Sequence, residues 1–316
     1  SDYSKFGVIG NFHGFRSSTT KYSTVLSNRG CRAQCTFCSV RNFNGVGVRQ
    51  RSVTSVLDEL EFLRYEHGIE HIMWLDDDLL KDKRRAIDLF NGIVKRGIEI
   101  TWDATNGLIA SSCTMEVVSA MAESGFIAGN IGMESGNPEI LRKIRKPGAV
   151  KTFLRAAEVF HQFPQLHIRV FLIIGFPGET LGMIRDTYDV ARSMDMDWYA
   201  ITTLQPLPNT PIYDSMVAQG LVQEVGGDVR FNSGGYGKQQ EVEKSSDNLS
   251  MILSDFMSDS RKDDMPTDNE LTDLWFLLNY SLNFERLFTE DRTEKIQQQM
   301  MNLRSLCDVI SPEHAL

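Results

Sequence analysis

Three cysteines, Cys31, Cys35 and Cys38, fall within eight residues of a 316-residue chain. Thiolates spaced C-x3-C-x2-C can each take one iron of a cubic four-iron cluster, which leaves the fourth iron without a protein ligand. An open iron binds and activates a small molecule, whereas a cluster closed by four cysteines passes electrons. A structural zinc site needs four Cys or His ligands, and the two other cysteines, Cys113 and Cys307, are isolated. Five cysteines are an odd number for a disulfide framework, and three in one short run suit metal binding better. The expectation is a 4Fe-4S cluster on Cys31, Cys35 and Cys38 with one reactive corner.

Such a loop needs a scaffold, and residues 21–221 supply one. Short apolar or β-branched runs at 23–26, 71–75, 98–104, 128–133, 167–174 and 199–204 read as strands. Amphipathic helical patterns at 53–67, 83–96, 115–124, 150–163 and 180–194 separate them. Each interval is long enough for a helical crossover, so the strands are parallel neighbours. Six such units predict an α/β fold, a partial (β/α)6 TIM-like barrel with reactive groups at the C-terminal ends of its strands. Ser52 or Thr54 can cap the first long helix, and Gly68, Gly97 and Gly125 each fall just past a helix end.

The organisation expected is a linker at 1–22, the barrel at 23–221 and an acidic, mainly helical extension at 222–316. In that extension 231–244 reads as a loop, 271–288 as a buried packing helix and 294–309 as a second helical pattern. The net charge of −9 comes wholly from residues 221–316, which hold nine Lys/Arg and eighteen Asp/Glu, while the first 220 residues balance. A broad basic surface is therefore absent, which argues against nucleic acid as a partner. No run approaches the about 20 apolar residues of a membrane span, and no secretory signal opens the chain. A reducing cytoplasmic setting, suited to thiolates, is the expectation. Because it starts with Ser, the chain reads as a piece of something longer.

The strand ends carry further chemistry. Strand two runs into Asp76-Asp77-Asp78, and strand three into Thr105-Asn106-Gly107. Strand four ends at Gly132-Met133-Glu134-Ser135-Gly136, with Lys146 beyond it. Strand five ends at Gly175-Phe176-Pro177-Gly178-Glu179-Thr180, and strand six leads to Pro206-Leu207-Pro208-Asn209-Thr210-Pro211. In this order, and with Phe37 between the second and third cysteines, the sequence resembles the radical S-adenosylmethionine superfamily. Its G-F-P-G-E-T and P-x-P-x-T-P motifs resemble the branch of cobalamin-associated methyltransferases and cyclases and methylthiotransferases. The likeness covers about residues 24–219.

The resemblance implies a cofactor, S-adenosylmethionine, chelated to the open iron by its amino and carboxylate groups. Reductive cleavage then gives a 5′-deoxyadenosyl radical that abstracts a substrate hydrogen. By the same resemblance Asp76 and Asp77 anchor the amino group, Lys146 pairs the carboxylate, and Glu134 and Ser135 face the ribose. Ile173 and Gly175 border the adenine, and Phe37 joins the cofactor-binding residues. Blander readings stand beside these. Asp76 and Asp77 suit an acidic turn or a helix cap near Asp82, Glu134 a packing ion pair with Lys146 or Arg142, and Lys146 plain surface. Glu179 reads as the first-turn acid of the next helix. His13, Arg169, Cys113 and Trp198 have no reading beyond core or surface. Two departures stand out, since relatives often carry Arg at position 106 and Gly at position 209, where this chain has Asn in both places.

No residue is assigned to the substrate step. A methylthiotransferase would carry a second cysteine cluster and a basic RNA-binding tail, and this tail is acidic. The favoured expectation is the radical domain of a cobalamin-associated C-methyltransferase or cyclase, with cobalamin supplied by a domain outside this chain. Alternatives are a stand-alone radical enzyme acting on a small metabolite or peptide, and a non-catalytic iron–sulfur protein for sensing or electron transfer. The partners implied are an unidentified substrate and a reductant such as flavodoxin or ferredoxin.

Overall fold

The structure, a computed structural model, describes residues 20–225, 228–230, 254 and 256–284. The described elements begin with β1 (Tyr22–Val25), β2 (Asn28–Arg29), the short helix α1 (Val40–Asn44) and β3 (Arg49–Gln50). There follow α2 (Val53–His67), β4 (His71–Trp74), α3 (Lys83–Lys95), β5 (Thr101–Leu108), α4 (Met115–Glu123) and β6 (Phe126–Glu134). Next come α5 (Pro138–Lys143), α6 (Val150–Phe160), β7 (His167–Ile174), α7 (Leu181–Met194), β8 (Trp198–Thr203) and α8 (Pro211–Ala218). A hairpin of β9 (Gln223–Val225) with β10 (Asp228–Arg230) and a helix α9 (Asp268–Asn283) complete them.

Strands β1, β4, β5, β6, β7 and β8 form one six-stranded sheet in that order, and each neighbouring pair is parallel. The order follows the chain, as helical crossovers between parallel strands require. Side chains alternate along each strand. On β7, Ile168, Val170, Leu172 and Ile174 are buried against helices, while His167, Arg169, Phe171 and Ile173 on the other face are only partly covered. Under the helices Trp102 is fully buried, stacked on Phe90 at 5.0 Å between ring centroids and edge-on to Trp74 at 6.2 Å. Its indole N–H donates to the Ser124 carbonyl (3.1 Å), so the ring gives its apolar area to the core without stranding a donor.

Helix ends follow the local chemistry of the chain. Ser52 caps α2, its hydroxyl accepting the Ser55 N–H (3.2 Å), and Gly68 closes it in a left-handed turn (φ 64°). At the end of α3 the Gly97 N–H donates to Val94 and the Ile98 N–H to Ile93, the paired bonds of a Schellman turn. That turn takes Ile98 out of the strand expected at 98–104, and β5 starts at Thr101 instead. The shift carries Thr105, Asn106 and Gly107 into the strand rather than beyond it.

Helix α9 begins three residues earlier than the apolar pattern at 271–288 suggests, because Thr267 and Glu270 form a capping box. It lies along the free edge of β8. The Asn283 side chain accepts the Tyr199 N–H (2.7 Å) and donates to the Tyr199 carbonyl (2.8 Å), and the Trp275 indole donates to Ile201 O (2.7 Å). A helix thus satisfies outward backbone groups that an exposed edge would leave open to pairing. No helix among the described residues is long and apolar enough to cross a membrane. Residues 1–19 of the linker expected at 1–22, with His13, the loop at 231–244, the helical pattern at 294–309 and Cys307 lie outside the described residues.

Candidate active site

The cysteine loop is closed at its base by a ribbon that the sequence reading did not anticipate. Asn28 and Arg29 of β2 pair antiparallel with Gln50 and Arg49 of β3, so residues 30–48, with all three thiols, form one tied loop. Gly30 is required there. Its φ is +94°, and a Cβ would lie 2.2 Å from the Gly47 carbonyl oxygen, which no L side chain tolerates.

Asp76 holds this base to the end of β4. Its Oδ2 accepts the Ser27 N–H (2.8 Å), and its Oδ1 accepts the Ser27 hydroxyl (2.6 Å) and the Asn28 N–H (2.8 Å). Burial pushes its carboxyl up to about 6 against those stabilising bonds. Asp76 thus has a structural role whatever else it binds, because both oxygens accept from the protein and the side chain is buried. Asp78 is held through Oδ2 by Arg32 at 3.1 Å, while its Oδ1 is buried without a hydrogen-bond partner. Asp77 is more open, accepting from Asn44 Nδ2 (2.8 Å), and partial burial raises its carboxyl. The helix cap weighed for Asp76 and Asp77 belongs to Asp82, whose carboxylate accepts the Arg85 N–H (3.0 Å).

The middle of the loop crosses to the far side of the sheet. The Thr36 N–H donates to Ile144 O (2.9 Å), and the Thr36 carbonyl accepts from the Ile212 N–H (3.0 Å) at the start of α8. A segment that follows the first edge strand is thereby bonded to one that follows the last. Phe37 packs on Phe176 at 6.1 Å, within a small apolar group that includes Ile140, Ile144, Leu204, Ile212 and Ile173. The Asn42 side chain donates to Asn209 O (2.6 Å). Asn209 has φ 64°, a left-handed conformation that Asn tolerates where Gly is the usual choice. The other departure, Asn106, donates its side-chain amide to Leu75 O (2.9 Å) at the end of β4.

All three thiols are free and partly exposed. Burial raises each, Cys35 to about 11, and Cys31 and Cys35 also feel the charge of other cysteines. No three His, Cys, Asp or Glu side chains among the described residues converge on a point that would hold a single metal ion. A cubic cluster asks for something else, one thiolate per iron, and three free thiols on a tied loop meet that requirement.

Beside Cys35 and Cys38 lies a nearly buried ion pair, Lys146 Nζ to Glu134 Oε1 at 2.7 Å. Burial disfavours the ammonium, but Glu134 and then Cys35 outweigh it, and the lysine is held above its ordinary pKa. Glu134 sits at the end of β6 with φ 66°, a conformation that costs a non-glycine residue energy and is held by its surroundings. Gly132 makes the pair possible, because a Cβ there would lie 2.6 Å from both Glu134 Oε1 and Lys146 Nζ. Of the alternatives open for Glu134, the Lys146 pair is present. Ser135 faces α7, where its hydroxyl meets Thr187 Oγ1 (3.1 Å) and accepts the Asn137 N–H (3.1 Å).

The turn after β7 departs from expectation. Thr180 caps α7, so Glu179 precedes the helix instead of sitting in its first turn. Its carboxylate is buried and folds back, Oε2 accepting the Gly175 N–H (2.7 Å) and the Phe176 N–H (3.1 Å). Oε1 is buried with no hydrogen-bond partner, and burial lifts the group to about 8. Gly175 has φ 86°, and Leu271 of α9 approaches to 3.2 Å of where its Cβ would lie, so the C-terminal helix reaches this turn. A carboxyl raised above its unfolded value contributes stability that is present below pH about 4.5 and lost as pH rises through about 8. The melting temperature of E179Q, followed from pH 5 to 9, should therefore fall less than that of the wild type. Parallel slopes would show that Glu179 does not titrate in the folded protein.

Sequence reasoning also missed a polar group beneath the strand ends. His71 Nε2 lies 2.9 Å from Asp103 Oδ2 and His71 Nδ1 lies 2.8 Å from Thr101 Oγ1, with the ring and the carboxylate both fully buried. Thr105 bonds the other Asp103 oxygen, and Asp103 acts on Arg169 from the neighbouring face. The signal was the polar half of the alternation on β4, β5 and β7, which a search for apolar runs discards. Cys113 is a buried apolar-type thiol, pushed up to about 12 by desolvation, and Trp198 packs edge-on to Phe284 at 5.6 Å.

Known proteins resemble this chain in sequence and in fold. A model of the Radical SAM superfamily matches residues 25–191. An uncharacterised methyltransferase of Pyrococcus horikoshii is 33% identical over 208 residues, which cover 66% of this chain and 45% of that protein. Cytidylyl-2-hydroxyethylphosphonate methyltransferase of Streptomyces wedmorensis is 28% identical over 210 residues, 64% of this chain and 39% of the relative. The chain thus spans less than half the length of these curated relatives. In fold it resembles the radical S-adenosylmethionine methyltransferase TsrM of Kitasatospora setae, solved with cobalamin and a [4Fe-4S] cluster. That likeness has a TM-score of 0.57 at 22% identity, over 63% of this chain and 39% of the other.

Proposed function

Because this chain belongs to the radical SAM superfamily, we propose that it is the radical-generating part of a cobalamin-associated C-methyltransferase or cyclase. The methyltransferase names of two curated relatives and the cobalamin bound to TsrM support that choice. When bound, the cluster supplies the electron for reductive cleavage of S-adenosylmethionine. Cys31, Cys35 and Cys38 hold it by one thiolate each.

The observation that carries the reading is the Glu134–Lys146 pair lying against Cys35 and Cys38. The methionine end of S-adenosylmethionine carries a carboxylate, and a nearly buried ammonium held charged by Glu134 beside the cysteines is its complement. Lys146 takes the carboxylate and Asp77 the ammonium, because Asp76 is committed to the loop base. Glu134, at the mouth of β6, then faces the ribose hydroxyls. Phe37, Ile173 and the Gly175 turn supply the apolar slot for adenine, and Ser135 supports Glu134 through its bonds to α7. The barrel residues 23–221 form the catalytic unit, and the residues after them supply α9 as a brace. The enzyme needs a reductant and a substrate, and a cytoplasmic setting suits both thiolates and reductant.

The test is anaerobic. Protein reconstituted with iron and sulfide, reduced with dithionite and given S-adenosylmethionine should release 5′-deoxyadenosine, and an intact cluster without that product would sink the reading. K146M should weaken binding of S-adenosylmethionine about tenfold or more, and it also leaves Glu134 buried and unpaired, a cost of about 3–5 kcal/mol. The double variant E134Q/K146M separates the two effects. It should recover most of the lost stability in a denaturant titration and keep the binding defect in an equilibrium titration. Wild-type affinity in the double variant would remove Lys146 from the cofactor site.

A further inference from the structure

The chain as a whole carries −9, yet residues 27–52, which bear all three cysteines, contain five arginines and no Asp or Glu. Arg51 is spent on Glu59 and Arg32 on Asp78. Arg29, Arg41 and Arg49 form no ion pair among the described residues, and Arg29 and Arg49 are exposed and directly opposite one another across the β2–β3 ribbon. Like charges at that position repel. A hollow of about 450 Å³ beside them is lined by Arg29, Arg49 and Arg51, together with Glu59 and apolar residues such as Val25 and Leu75.

Next to these arginines the loop presents an apolar tip. Phe43 is 84% exposed and Val46 78% exposed, the two largest values among the large hydrophobic residues described. Phe43 is not loosely placed. Its helix α1 is fastened on both sides of it, by Asn42 to Asn209 O (2.6 Å) and by Asn44 to Asp77 Oδ2 (2.8 Å). α1 begins two residues after Cys38, and five residues at 1.5 Å each make it about 8 Å long. An apolar tip and arginines free of ion pairs among the described residues, on one tied loop beside the cysteines, have the makings of an interface centre with a charged rim.

We infer that Phe43, Val46, Arg29 and Arg49 form the docking surface for an acidic one-electron carrier of the flavodoxin class, which reduces the cluster. This rests on the radical SAM reading above and names the partner of the same site. The step forms and breaks no bond. The carrier's reduced flavin loses one electron, passing from hydroquinone to semiquinone, and the iron–sulfur centre on the cysteines gains it. The arginines steer the acidic surface in, and the Phe43–Val46 tip is buried at the contact and excludes water from it.

The experiment compares two reductants and adds a binding measurement. Reconstituted wild type, R49E, F43S and the conservative R49K are each supplied with dithionite or with a purified acidic bacterial flavodoxin in its hydroquinone form. With dithionite the rate of 5′-deoxyadenosine release should agree within about twofold across all four, since a small reductant needs no docking. With flavodoxin, R49E and F43S should raise the carrier concentration for half-maximal rate about tenfold, and R49K should restore it. Flavodoxin binding to the reconstituted protein, followed by titration calorimetry at low and at 300 mM salt, should weaken with salt in the wild type and far less in R49E. Equal flavodoxin binding by wild type, R49E and F43S would overturn the surface, as would equal losses with both reductants. A wild type that binds flavodoxin in this pattern but makes no 5′-deoxyadenosine with dithionite would overturn the enzyme reading and leave the surface standing.

Discussion

Replacing Cys35 by Ala should abolish 5′-deoxyadenosine formation while leaving the fold intact. Cys35 is partly exposed and free, and its thiol is raised to about 11 by burial, so the folded protein without metal gains little from it. Its loop is held instead by the β2–β3 ribbon, the Asp76 bonds and the two Thr36 backbone bonds, none of which involves the sulfur. Loss of one thiolate leaves two irons without protein ligands instead of one, and a cluster so held is lost or misassembled. The reconstituted variant should lack most of the wild type's iron and its visible absorbance, with thermal unfolding of the metal-free forms coinciding within about 2 °C. Product formation by the variant would mean that the ligand set is wrong.

The second large effect is on stability and comes from Asp76. D76A strands the Ser27 and Asn28 N–H groups, both in buried residues, and removes the carboxylate that Arg85 faces. Breaking a buried charged group away from its partners costs about 3–5 kcal/mol, a large share of the 5–15 kcal/mol typical of a domain. D76N should cost nearly as much, because in either orientation its amide nitrogen would face a backbone N–H of Ser27 or Asn28. The midpoint of chemical unfolding at neutral pH measures this. D76A with wild-type stability and a lost affinity for S-adenosylmethionine would restore Asp76 to the cofactor. The same carboxyl, raised to about 6, contributes stability that is present below pH about 4 and lost as pH rises through 6. The energetic case for Asp76 is thus its bonds and not its charge.

Much of the architecture was legible because periodicity reports burial directly. The six strands and their parallel order followed from apolar runs spaced by amphipathic ones, and Ser52, Gly68 and Gly97 marked helix ends by their own local chemistry. Where two local rules competed the reading slipped. Ile98 and Ile100 looked like strand residues, but a Schellman turn claimed the first, and β5 moved on to Thr101. Glu179 looked like a helix-start acid until its side chain folded back on the Gly175 turn.

The amino-acid sequence by itself determined that the three thiols lie together, since three cysteines at fixed short spacing share a loop in any fold that keeps them. It also determined the sheet order, since crossovers of helical length between parallel strands allow few alternatives. Only the tertiary structure decided how the acids at the strand ends are used. Asp76, Asp77 and Asp78 are adjacent in the chain, yet one is sealed on the loop base, one is held by Arg32 and one is left more open. Glu134 and Lys146, twelve residues apart, meet at 2.7 Å because Gly132 leaves room for both. A residue's type states what it can bond to. What remains for it to bond depends on burial and on which groups 20 to 50 positions away arrive first, and only the fold sets that.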